Sequence, residues 1–173
     1  MIALVAAAPD DGTVALGREL RNLDQVALLA PESPPGLDDR TAFVRADPST
    51  AAGAETALAA VEQSHGPVSC LVTVPAEGHE VTVDHLSDEV WGSTLAMNHT
   101  AAMYAARAAG RLMSGRGAGR IVLVGGRIDR PGGWAHLAAT SGAIYQLARS
   151  LASEVGPYGV TVNAILVPPG ELA

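Results

Sequence analysis

The sequence predicts an α/β protein built on a doubly wound parallel sheet, and three observations predict it. Six apolar runs of β-type composition recur along the 173 residues, and amphipathic stretches of helical length separate most of them. The interior set is small: hydrophobic residues make up 48% of the chain but aromatics only 3%. Strands that alternate with helices imply βαβ units, because a parallel pair needs a crossover connection. A core of Ala, Val and Leu suits close approach of helix to sheet. The length allows one domain, residues 1–173, with a substantial buried interior.

The expected strands are residues 2–8, 25–30, 42–45, 68–74, 120–124 and 160–166. Asp10 or Asp11 is the expected N-cap of a helix after the first strand. The segment 31–40, PESPPGLDDR, is Pro/Gly-rich and too short for a good crossover helix between the second and third strands. Asp47-Pro48 reads as an N-cap followed by Pro at the first helical position, opening a helix over 49–63. Ser87 caps the next helix, with Asp88 and Glu89 at the positive end of its dipole, and residues 86–113 are expected to form one long helix. The last helix spans 134–155 and ends before Gly156-Pro157. This is a Rossmann-type order of elements.

The formal charge of −7 is spread without an acidic block and the Arg residues are scattered, so no nucleic-acid partner is expected. A single Cys70 forms no internal disulfide and reads as a small core residue. The apolar start lacks a basic n-region and a membrane-length stretch, which predicts a first strand, no membrane partner and a cytoplasmic protein. His85, His99 and Cys70 show no metal-ligand spacing.

Residues 119–171, GRIVLVGGRIDRPGGWAHLAATSGAIYQLARSLASEVGPYGVTVNAILVPPGE, and the segment WGSTLAMNHT carry more than a fold. They resemble the short-chain dehydrogenase/reductase (SDR) family. In that family the corresponding strand ends in a catalytic Ser, the next helix carries Tyr-x-x-x-Lys, and the last strand leads into a Pro-Gly turn. Aligning backwards from Ser150-Leu151-Ala152-Ser153-Glu154 puts Leu137 at the Tyr position and Ser141 at the Lys position. Counting from the strand side puts Ala139 and Ala143 there instead, and the Ser position falls on Gly126. Neither register supplies a phenol or an amine. The family's carbonyl reduction uses a phenolic donor whose pKa a nearby ammonium lowers, so that reaction is expected to be absent or very weak. Tyr145 is no replacement, since it lies two turns, about 12 Å, further along the helix. Asn98 is the one tetrad position retained.

The resemblance also implies a dinucleotide loop of the form Thr-Gly-x-x-x-Gly-x-Gly, where glycines let backbone amides approach the pyrophosphate. An ungapped alignment puts Ala7, Asp11 and Thr13 at the three glycines, leaving only Gly12, one place out of register. Asp10 and Asp11 bring carboxylates towards the phosphate position, and Pro9 removes an amide donor. Two like charges about 4 Å apart at an effective dielectric near 20 cost on the order of 4 kcal/mol. Thr73-Val74-Pro75-Ala76 stands where the family has Asn-Asn-Ala-Gly. No bound NAD(P) is therefore expected, with Asp47, which resembles the family's adenine-contacting Asp, as the contact if one is bound.

Three functions are compatible with these residues. One is a non-catalytic subunit that associates through helices 86–113 and 134–155 with an active full-length SDR or with itself, the family's usual interface, which the Ala-rich segment 95–109 would allow to pack closely. The resemblance also implies a substrate-covering region and a final strand after Pro168-Pro169-Gly170, and the expected loss of that strand, which would expose a sheet edge, points the same way. A second is a repurposed lyase or isomerase using His136 with Asp129 in a crevice that His79, His99, Glu77 and Arg127 could also border. The third is an NAD(P)-dependent oxidoreductase with degraded motifs.

Overall fold

A computed structural model describes residues 1–6, 8–76, 78–129 and 132–168. Six parallel strands form one sheet in the order β3-β2-β1-β4-β5-β6: β1 Ile2–Ala6, β2 Val26–Ala30, β3 Ala42–Arg45, β4 Cys70–Val74, β5 Gly119–Gly126 and β6 Val160–Val167. The strands are those expected, with ends moved by one or two residues. The helices are α1 Asp11–Leu20, α2 Ala51–His65, α3 Asp88–Leu95, α4 Ala101–Arg116 and α5 Ala135–Val155. A single π-helical turn, Ala96–Thr100, joins α3 to α4. The expected long helix is thus continuous in course but underwound at one turn. As expected, no helix lies between β2 and β3.

Alternation along the strands sorts the core into two layers. Ala3 and Val5 of β1 face a cluster with Leu58 and Val61 of α2, Ala105 and Ala109 of α4, and Ile144 and Ala148 of α5. Ile2, Leu4 and Ala6 face the other side, where Leu16 and Leu20 of α1 and Phe43 pack. Burying each Leu or Val contributes about 1.5–3 kcal/mol. The alanines of α4 explain why aromatics are scarce: Ala101, Ala102, Ala105, Ala106, Ala108 and Ala109 are all buried, and their small side chains let α4 lie close to the sheet and to α2. The Ala-rich face is therefore used within the chain. Cys70 opens β4 half-buried, and burial raises its thiol pKa.

The start of α2 corrects one expectation. Its N-cap is Thr50, whose hydroxyl accepts the Gly53 N–H at 3.1 Å. Asp47 lies three residues too early to reach a first-turn amide and instead accepts the N–H and hydroxyl of Ser49, at 2.9 and 2.6 Å. Ser87 caps α3 as expected, accepting the Val90 N–H at 3.2 Å. Among the described residues no helix is long and apolar enough to cross a membrane.

Candidate functional site

The strand order reverses between β1 and β4, and the crevice at their carboxyl ends is where a ligand binds in open α/β sheets. Three segments border it: the loop from β1 into α1, the segment after β4, and the segment from β5 into α5.

Asp10 dominates the first of these. It is the N-cap of α1, and its carboxylate accepts the Thr13 N–H and the Thr13 hydroxyl, both at 2.7 Å, while Thr13 Oγ1 accepts the Asp10 N–H at 3.3 Å. This capping box fills the helix N-terminus with a carboxylate of the chain's own. A pyrophosphate does not fit that donor set, because the Thr13 amide is engaged and a negative charge already sits there. Thr13 is 1% exposed, so its hydroxyl has no other outlet. Ala7 lies outside the described residues. At the far end of β3, Asp47 is exposed and held by Ser49, and the adjoining space lined by Val5, Leu29, Ala46, Pro48 and Leu58 is too narrow for a water molecule.

The opposite wall is formed by the end of β5 and the first turns of α5, where the aligned Ser, Tyr and Lys positions of the family fall. Leu137 and Ser141 are both buried and one turn apart on α5, whereas Ala139 is exposed and Ala143 half-buried. A Cβ added to Gly126 would lie 3.5 Å from Ser141 Oγ. The helix face turned to the end of β5 is thus the Leu137/Ser141 face, which agrees with the first of the two registers. Ser141 donates its proton to the Leu137 carbonyl at 2.7 Å, and Thr140 donates to the same oxygen at 3.0 Å. Leu137 itself packs beneath Gly78, where an added Cβ would come within 2.6 Å of its Cδ1. No phenol or ammonium occurs at these positions.

Asn98 sits in the π-turn, 5% exposed, and its side-chain oxygen accepts the Ala76 N–H at 2.7 Å. That bond fixes the backbone just beyond β4 to the helix, and the π-turn packs against α5. The π-turn is locally underwound, and from it Asn98 reaches the strand end.

His136 is 1% exposed, and its Nδ1 is buried without a hydrogen-bond partner among the described residues. Burial pushes its pKa below the ordinary 6.5, and nearby His79 pushes the same way. The expected partnership with Asp129 does not form. Asp129 pairs with Arg127 Nε at 2.6 Å, because the guanidinium two residues away reaches it before any helix residue does. Glu77 lies outside the described residues, and His85 pairs with Asp84 and Thr82 at the tip of the loop after β4. Among the described residues no cluster of three or more His, Cys, Asp or Glu could hold a metal ion.

Sequence reasoning missed Gly78 and Gly133, the two glycines that let the segments after β4 and β5 meet. Gly133 has φ +69°, and a Cβ there would collide with the Glu80 side chain. The Val81 N–H donates to the Gly133 carbonyl at 2.7 Å. Both glycines lie in loops without regular pattern, so no periodicity marks them.

The short chain dehydrogenase family profile matches residues 2–171. The chain is 38% identical over 128 residues to galactitol 2-dehydrogenase (L-tagatose-forming) of Cereibacter sphaeroides, covering 72% of this chain and 50% of that protein. It is 33% identical to the inactive 2-(S)-hydroxypropyl-CoM dehydrogenase 2 of Xanthobacter autotrophicus, over 75% of this chain and 56% of that one. The crystal structure of sorbitol-6-phosphate 2-dehydrogenase from Erwinia amylovora superposes with a TM-score of 0.86 over 96% of this chain and 70% of that chain, at 18% identity. The chain spans about half the length of the curated relatives it matches. A matched span of this extent, on a sheet of this order, makes the chain a member of the short-chain dehydrogenase family.

Proposed function

We propose that this chain is a non-catalytic member of its family, acting as an assembly-stabilising subunit of an oxidoreductase complex with an active relative or of a homo-oligomer. One observation carries the reading: the Leu137/Ser141 face of α5 is turned to the site, and it offers an alkyl group and a hydroxyl already bonded to the helix's own backbone, neither of which supplies the phenol or the ammonium of the family's reaction. The Asp10 capping box supports it, since it leaves the start of α1 unsuited to a dinucleotide phosphate. Asn98 fits it as well, because its hydrogen bond to Ala76 is an architectural role.

With the α4 alanines buried, the surface these helices offer a partner is aromatic. Trp91 on α3 and Tyr145 on α5 are 39% and 49% exposed, and aromatic side chains with Arg neighbours are the residues that anchor interfaces. Arg149 lies over the Tyr145 ring, 5.8 Å from its centroid.

A second reading, an NAD(P)-dependent short-chain oxidoreductase with degraded motifs, is favoured by the dehydrogenase names among the relatives, galactitol 2-dehydrogenase included. A third, a lyase or isomerase at the crevice near His136, rests on the buried imidazole and has lost Asp129 as its partner. The purified chain separates these by sedimentation and by oxidoreductase assay with NADH and NADPH. The expected outcome is no turnover, an associated wild type and a monomeric Trp91→Glu/Tyr145→Glu variant. Turnover with either nucleotide overturns the proposal, and a monomeric wild type overturns its homo-oligomer form and leaves the complex with an active relative to be tested on the protein from its own source.

A further inference from the structure

Building on the assembly reading above, we propose that a second copy of this chain docks on the outward face of α3 and α4, end for end about a two-fold axis near Thr100, so that Glu89 of each copy meets Arg107 and Arg111 of the other. Through the π-turn, α3 and α4 run on as one rod with opposite charge at its two ends. α3 carries Asp88 and Glu89 and no basic residue, whereas α4 carries Arg107, Arg111 and Arg116 and no carboxylate. One side of the rod is buried in the chain's own core through Thr94, Asn98, Ala102, Ala105 and Ala109. The opposite side is open along its length: Glu89, Gly92, Ala96, Met103, Arg107 and Arg111 are all exposed or half-buried. Gly92 and Ala96 keep its middle low, so two such rods can approach closely.

The helix dipole accounts for Asp88 and Glu89 in the first turn of α3. It does not account for Arg107, which stands well before the last turn of α4, where the pull of the dipole has faded. Within the chain, Glu55 of α2 takes both guanidiniums, Arg107 Nη2 at 3.5 Å and Arg111 Nη1 at 3.1 Å. One carboxylate thus faces two positive charges, and an excess positive charge stands on the open side of α4 in a chain whose formal charge is −7.

A copy laid parallel sets Arg against Arg. A copy turned end for end sets the acidic end of each rod against the basic end of the other, and the two-fold axis repeats every such pair. Glu89 and Arg111 lie equally far from Thr100, roughly 16 Å on either side along the rod. At the shallow crossing angle of about 20° that long antiparallel helices adopt, both pairs stay within reach of these long side chains. Trp91 follows Glu89 on α3 and is 39% exposed, so the charge pairs border the aromatic anchor named above. The charge pattern therefore selects a second copy as the occupant of this face and fixes its register.

Sedimentation equilibrium of the full chain, as wild type and as charge variants, tests this. Glu89→Arg and Arg111→Glu, each alone, are expected to weaken self-association at least about tenfold, since two symmetry-related attractions become repulsions. An equimolar mixture of those two variants, and the double variant Glu89→Arg/Arg111→Glu, are expected to recover association to within about threefold of wild type. Glu55→Gln, which frees both guanidiniums for the partner, is expected to tighten association, and it serves as the second variant if Arg111→Glu folds poorly beside Glu55. Wild-type association that the single reversals leave unchanged overturns this register while the assembly reading stands. So does a mixture of folded variants that fails to recover, or a Glu55→Gln variant that associates more weakly. A monomeric wild type overturns the register together with the homo-oligomer form of that reading.

Discussion

Ser141 donates its hydroxyl proton to the backbone carbonyl of Leu137, 2.7 Å away and one turn back along α5, so the two residues at the family's Tyr and Lys positions are joined to each other. Leu137 is also seated on Gly78, with Cδ1 2.6 Å from where a Cβ there would stand. The site has been repacked around an alkyl group, which is more than the loss of a functional one.

Replacing both residues should therefore fail to restore chemistry. The variant Leu137→Tyr/Ser141→Lys is expected to show no robust NADH or NADPH oxidation, because Gly126 still lacks the hydroxyl and Asp10 still caps α1. Robust turnover by this variant, followed by nucleotide absorbance, would show that the account of the α1 loop is wrong.

Asn98 is expected to matter for stability. Asn98→Ala leaves the buried Ala76 N–H without its acceptor, which costs about 1–3 kcal/mol in urea unfolding. An unchanged midpoint would mean that a water or another group takes over the bond.

Two glycines on opposite sides of the backbone argument give opposite signs. Gly159 has φ +75°, and a Cβ there would collide with the Gly117 carbonyl, a backbone atom that cannot swing away. Gly159→Ala is expected to destabilise by roughly 1–3 kcal/mol. Gly92, exposed in α3 with open space around it, is expected to gain roughly 0.5–1 kcal/mol as Ala. Thermal unfolding of both variants checks the pair.

The pH dependence has a definite sign. His136 has a folded-state pKa below 6.5, so its contribution to stability is intact above that value and is lost as pH falls through the folded-state pKa. Wild type is expected to lose stability below pH 6.5 relative to His136→Leu, before the carboxylates titrate. Parallel stability curves for the two proteins over that window would contradict the burial of the ring.

Much of the frame was legible because it depends on patterns the chain repeats. β-type runs at intervals fix six strands, and of the two expected caps, Asp10 and Asp11, the structure uses Asp10. The start of α2 was misread because Asp47-Pro48 and Thr50 both look like helix openings, and only the reach of Thr50 to Gly53 decides between them. The π-turn at Ala96–Thr100 has no composition that sets it apart from its helix. The Leu137/Ser141 register was one of two, and the buried face of α5 agrees with it. The seam between Val81 and Gly133 was invisible, since it joins two irregular loops through one backbone hydrogen bond. Asp129 was assigned to the wrong partner because a nearer cation, Arg127, competes for it.

The central claim is that this chain assembles and does not carry a dinucleotide. Native mass spectrometry of the protein purified from its own source, with and without NAD(H) and NADP(H), tests both halves at once. The account predicts a defined oligomer or a complex with a full-length dehydrogenase, and no nucleotide adduct on this subunit at sub-millimolar concentration. A lone chain that captures NAD(H) or NADP(H) would contradict it.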